Sequence, residues 1–218
     1  MLQSEGDGLC ALYNTNTIRV PAPIGIGELP GGVFIITEAI DLHPICNQGL
    51  LGKQLAALHL VKGPSRFGMG TDNYIGSTPQ PNKWHDSWVD FLHMRLKYQF
   101  DLANFPVPTN RQAGKQLDRL PDSFKDVEVV PSLIHGDLWR GNVAEDEKGN
   151  PAELGIMKLF GGFENDFFDA YHELIPKPPG FEQRQTIYEL YHAVNHYNIF
   201  GLKFLSQCQQ LLNSTVSE

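Results

Sequence analysis

One ten-residue stretch constrains this chain more than any other: Leu133-Ile134-His135-Gly136-Asp137-Leu138-Trp139-Arg140-Gly141-Asn142. The β-branched run over 127–134 predicts a strand, which delivers a His-Gly-Asp, and an asparagine follows the aspartate five positions later. Two readings fit this spacing. In a phosphoryl-transfer loop, the aspartate takes the proton of an attacking hydroxyl and the asparagine holds Mg²⁺ on the phosphates of ATP, while the histidine braces the loop. Alternatively, the residues are an ordinary polar cap where a strand runs into a loop. The spacing leaves both open.

The remainder of the chain reads as a short β-rich start followed by a mostly helical body, an α+β pattern. Residues 5–12 suit the end of a helix. Strands are expected at 24–26 and 33–37, and the Pro30-Gly31-Gly32 between them gives a hairpin signal. Leu51, Leu55 and Leu58 recur at helical spacing and predict a helix over 49–61. Residues 63–81, rich in glycine and proline, read as a long loop of the kind that often serves function. Trp84, Trp88, Phe91, Leu92 and Leu96 predict a helix from Lys83 onward with an apolar face that suits a core. A weaker helix is expected over 111–120. Asn150-Pro151 has the grammar of a helix start, an apolar helix is expected over 156–171, and Ile187, Leu190, Tyr191 and Val194 mark a final one.

Composition removes several classes of function. Seventeen basic against 25 acidic residues, a formal charge of -8, argue against a nucleic-acid or anionic-membrane partner. No apolar run has the length of a membrane span, and the first residues lack the pattern of a secretory signal. Cys10, Cys46 and Cys208 lie far apart with no CxxC pair, which speaks against a disulfide framework or a cysteine zinc site and for a reducing, cytoplasmic setting. His192 and His196 stand at i and i+4, but no third ligand accompanies them, which disfavours a metal pair and leaves packing or substrate contact. Trp139 suits either stacking on a sugar or packing under the loop.

The chain resembles the fructosamine/ketosamine-3-kinase family (protein-ribulosamine 3-kinases), relatives of the aminoglycoside and choline kinases. The resemblance lies in the run from His135 to Ala144, in Phe160-Gly161-Gly162-Phe163, in Ile175-Pro176-Lys177 and in Leu190-Tyr191-His192-Ala193-Val194-Asn195-His196. Upstream it includes the run from Leu51 to His59 and the run from Asp72 to Asn82, and it covers about residues 1 to 201. It implies a protein-kinase-like fold and transfer of the ATP γ-phosphate to the sugar 3-hydroxyl of a ketoamine on a protein or a small amine. The product falls apart, so glycation is reversed. By position, Asp137 resembles the catalytic base and Asn142 a Mg²⁺ ligand. Glu38-Ala39-Ile40 resembles the hinge that meets adenine, and Glu5 the helix glutamate that pairs with the ATP-binding lysine.

Two departures accompany the resemblance. Family members carry a preceding stretch with a phosphate-covering loop and the ATP lysine, so a truncated N-lobe over 1–41 and a helical C-lobe over 42–218 are expected. After Pro151, roughly seventeen to twenty residues of the family pattern, including an Asp that ligates metal, have no counterpart here. Asp146, Glu147 and Glu153 stand nearby and read as turn or cap residues. A catalytically impaired member of the family is the competing expectation.

Overall fold

In a computed structural model of the chain, residues 2–146, 151–153 and 162–216 are described. In order they form α1 (Leu2–Asn14), β1 (Pro23–Leu29), β2 (Gly32–Thr37), α2 (Gln48–Leu60), β3 (Asn73–Ile75), β4 (Thr78–Gln80), α3 (Trp88–Ala103), α4 (Val107–Arg119), β5 (Val143–Glu145), β6 (Pro151–Glu153), α5 (Asn165–Leu174), α6 (Phe181–Phe200) and α7 (Leu205–Val216). The mixture is α+β, as the patterning implies. The chain divides into two compact units, Met1–Gly63 with Ser132–Pro176, and Pro64–Pro131 with Lys177–Glu218. The division expected after Asp41 falls inside the first of these.

The first unit carries the residues of interest. β1 and β2 pair antiparallel with Leu29 opposite Gly32, and Gly31 closes the turn at φ 100°, a backbone angle that glycine adopts without strain. α1 covers this hairpin, with Gly6 set against the Ile26 side chain. α2 starts where the Asn47 side chain accepts the Leu50 N–H at 2.9 Å, satisfying one of the amide donors a helix start leaves open. Leu51, Leu55 and Leu58 of α2 are buried with Leu12, Ile18, Val20, Leu138, Val143 and Phe167. Gly52 lets α5 close in: a Cβ there would overlap the Phe167 carbonyl oxygen.

In the second unit, α3, α4, α6 and α7 enclose a core that includes Leu92, Leu96, Phe100, Leu120, Ile187, Leu190, Val194 and Leu212. α3 is capped by Ser87, whose hydroxyl accepts the Asp90 N–H at 3.2 Å. Trp84 therefore precedes the helix instead of sharing its apolar face. α6 runs between two glycines at positive φ, Gly180 at 72° and Gly201 at 79°.

Several expectations are corrected. Residues 127–134 form no strand. Val130 and Ile134 are exposed at 69% and 60%, and among the described residues no neighbouring strand pairs with the run, so its β-branched composition finds no ladder to join. The stretch 63–81 is not plain loop, since β3 and β4 pair within it around Gly76 at φ 60°. Pro151 opens β6, which pairs with β5, and not a helix. The apolar helix expected over 156–171 begins only at Asn165; residues 156–161 lie outside the described residues, as do Glu147 and Asn150. α7 carries no cue that the sequence reading used.

Candidate active site

The loop that follows residue 134 is built from its anchors outward. Leu138 is buried in the first unit's core, 4% exposed, as is Val143 at 8%, so apolar burial fixes the loop just after Asp137 and just after Asn142. Gly136 takes φ 91°, which a side chain would resist. The Asp137 N–H donates to His135 Nδ1 at 3.2 Å, so that nitrogen is an acceptor and the imidazole is neutral. Burial holds His135 in that state, drawing its pKa down to about 4.

Asn142 closes the loop. Its backbone N–H donates to the Trp139 carbonyl at 2.8 Å. Its side-chain Nδ2 donates to Asp137 Oδ2 at 3.1 Å and to the Asp137 carbonyl at 3.3 Å. The two residues singled out for chemistry thus meet side chain to side chain. Burial raises the Asp137 carboxyl from its ordinary value, and the Asn142 hydrogen bond acts against that rise. The Trp139 ring packs over Gly141, where a Cβ would overlap it, and remains 37% exposed.

Across from the loop stands the Glu38 side chain. Arg19 takes it in a fork, Nη1 to Oε2 at 2.9 Å and Nη2 to Oε1 at 2.5 Å. Glu38 Oε2 also accepts the Ala22 N–H at 3.1 Å, and the Glu38 N–H donates to the Ala22 carbonyl at 2.9 Å. The Arg19 hydrogen bonds hold the Glu38 carboxyl below its usual range. Among the described residues the backbone groups of Ala39 and Ile40 make no hydrogen bond, which leaves them able to meet a ligand's polar edge.

Between the Glu38-Ala39-Ile40 segment and the loop lies a cavity of about 270 Å³ lined by Pro21, Thr37, Glu38, Ile40, Leu42, Gly141, Asn142, Val143 and Ala144. Its volume is at the lower edge of small-molecule pockets, which run from roughly 300 Å³. Its walls are apolar at Ile40, Leu42 and Val143 and polar at Asn142, a distribution that suits a flat heterocycle with a charged tail. Glu38, Ile40 and Asn142 therefore share one cavity, and Asp137 is joined to it through Asn142. Glu5 is exposed on the first turn of α1 and is not among the cavity's walls.

Two functional features have no signal in the linear sequence. The Arg19–Glu38 fork joins residues 19 positions apart. Glu145, three residues past Asn142, is buried and accepts the backbone N–H groups of Cys46 and Asn47 at 2.8 and 2.5 Å. Asp146 lies 4.0 Å from Arg19 Nε, a position that gives it a partner other than a metal.

A family model described as fructosamine kinase matches residues 1–218. The chain belongs to the fructosamine kinase family. Among its relatives, a Synechocystis protein named a probable ketoamine kinase is 40% identical, the match spanning 97% of this chain and 77% of the relative. The chloroplastic protein-ribulosamine 3-kinase of Oryza sativa is 39% identical over 98% of this chain and 68% of its own length. The ketosamine-3-kinase of Mus musculus is 37% identical over 92% and 79%. A crystal structure from Haemophilus somnus that bears the fructosamine-3-kinase name superposes with a TM-score of 0.85 at 25% identity, covering 99% of this chain and 79% of that one. The fold is thus kinase-like, and family membership brings ATP use with it. The Synechocystis match extends over 233 aligned positions against 218 residues in this chain, so that relative has residues inside the aligned span without counterparts here.

Proposed function

We propose that this chain phosphorylates the sugar 3-hydroxyl of a ketoamine, a fructosamine or ribulosamine on a protein or small amine, at the expense of ATP. The observation that carries the reading is the 3.1 Å hydrogen bond from Asn142 to Asp137, with Asn142 on the wall of the hinge cavity. The adenine would lie against Ile40, Leu42 and Val143 and meet the backbone of Ala39 and Ile40. Asp137 would accept the hydroxyl proton as the sugar oxygen bonds to the γ-phosphorus and the bond to ADP breaks. Its raised pKa favours that role, since a stronger base accepts the proton more readily.

The donor set at Asn142 fits a hard cation. Nδ2 is committed to Asp137, so the carbonyl Oδ1 is the atom left to face one, and Mg²⁺ characteristically binds through few protein oxygens together with substrate phosphates. Asn142 would hold it there, where it would neutralise charge on the phosphates. Glu5, at the position of the family's lysine-pairing glutamate, lies outside the cavity and is given no part in this reading. The ketoamine class is supported by the names of the rice and mouse relatives. A reducing, cytoplasmic setting is supported by the three cysteines, all free thiols; among the described residues no helix is long and apolar enough to cross a membrane.

A second reading, a slow or impaired member of the family, is supported by the aligned positions that have no counterpart here. One experiment addresses both. The chain is incubated with Mg-ATP and a fructosyl- or ribulosyl-lysine peptide, and the phosphorylated sugar is followed by mass spectrometry. ATP-dependent product at about 1 to 100 per second is expected of the full activity. Product formed only after the family's residues are inserted beyond Pro151 favours the impaired reading, and none in either chain overturns both.

A further inference from the structure

We infer that Glu145 is a positioning residue that holds the two walls of the nucleotide cavity at a fixed separation. One wall is the segment that leaves the hinge and carries Leu42, and the other is the loop's exit strand with Val143 and Ala144. The two meet immediately beyond the cavity. His43 and Glu145 exchange both backbone hydrogen bonds, each 2.8 Å. The Glu145 side chain, with the residue only 7% exposed, then reaches past that pair. Its Oε1 accepts the N–H of Cys46 at 2.8 Å and of Asn47 at 2.5 Å.

Asn47 is the cap of α2. One carboxylate oxygen therefore joins three things: the strand that follows Asn142, the segment that follows the hinge, and the start of the helix on which the unit's core is built. Hydrogen bonds to an ionised acceptor are roughly twice as strong as neutral ones. Because Asn142 is three residues upstream in the same short run, slack at Glu145 becomes slack in the loop's distance from the hinge. Glu145 touches no reacting atom in this arrangement; it acts through Asn142 and Leu42.

The activity side of this inference rests on the kinase reading, so the test has an arm that does not. Glu145→Asp keeps the charge and shortens the reach by one methylene, Glu145→Gln keeps the reach and loses the charge, and Glu173→Ala alters an exposed ion pair with Lys53 as control. Hydrogen exchange is measured for peptides covering 43–47 and 141–146, and Mg-ADP affinity by calorimetry, each beside the melting temperature. A carboxylate too short to reach both N–H groups frees the two walls, so Glu145→Asp is expected to raise exchange in both peptides and weaken Mg-ADP by about tenfold, about 1.4 kcal/mol. Glu145→Gln is expected to restore most of both, and the control to change neither.

Wild-type exchange and affinity in Glu145→Asp overturn the inference. So does a lowered melting temperature with unchanged Mg-ADP affinity, since that is what a merely structural residue gives. Wild-type chain that binds no Mg-ADP overturns the kinase reading instead, and the exchange pattern alone then upholds or overturns the tie.

Discussion

Replacing His135 by asparagine removes a titrating group from the His135–Asn142 loop while leaving an acceptor near the place of Nδ1. The folded imidazole has its pKa drawn down to about 4 by burial, and the unfolded one titrates at about 6.5. Below pH 6.5 the unfolded chain therefore binds a proton that the folded chain refuses. The stability due to a neutral His135 is complete above pH 6.5 and is lost as the pH falls toward 4. Each pH unit in that window is worth about 1.4 kcal/mol. Between pH 7 and pH 5 the wild-type chain should lose about 2 kcal/mol that His135→Asn does not lose, an upper figure because a ring in partial contact with water is screened. His59 and His192, drawn down to about 4 by the same burial, titrate equally in both proteins and cancel in the difference. Guanidinium unfolding of the two proteins at pH 7, 6 and 5 measures it, with equal slopes confirming that both expose the same surface. A wild-type-minus-variant difference that stays constant across the three pH values would refute a buried, neutral His135.

Two further outcomes are expected. Gly52→Ala should destabilise the chain, because the overlap with the Phe167 carbonyl forces α2 from α5 at an overpacking cost of about 1–3 kcal/mol, against a helix-propensity gain of about 1 kcal/mol; a raised melting temperature would contradict the packing. Arg19→Lys keeps the charge but loses the fork to Glu38, so steady-state kinetics should show a higher KM for ATP with kcat little changed, and a fall in kcat at constant KM would contradict a hinge role for the pair.

The parts of the fold that were legible are those where one local rule acts alone. Leu51, Leu55 and Leu58 mark α2 within a residue of each end, and the glycines at 31 and 32 mark the hairpin, because spacing and positive φ are written in adjacent residues. The run over 127–134 misled because β-branched residues favour extended backbone whether or not a partner strand is present, and partners are set by the rest of the fold. The β3–β4 hairpin was hidden in a glycine- and proline-rich stretch because three-residue strands carry no period. At the site, the meeting of Asp137 and Asn142 was legible from their spacing, since two polar side chains five residues apart can meet across one loop. The fork that ties the Glu38 carboxylate to Arg19 was not legible, and Glu145 was not found at all. Their partners lie 19 and nearly 100 residues away, and no pattern in a linear sequence connects such distances.

The central claim is that Asp137, held by Asn142 beside the hinge cavity, takes the proton of a ketoamine hydroxyl during phosphoryl transfer. Comparing kcat of the wild-type chain and Asp137→Asn on a fructosyl-lysine peptide, with Mg-ADP affinity measured alongside, tests it most directly. Loss of a general base should lower kcat by about 10²- to 10⁴-fold while the nucleotide binds as before. A variant that keeps its wild-type kcat at unchanged nucleotide affinity would contradict it.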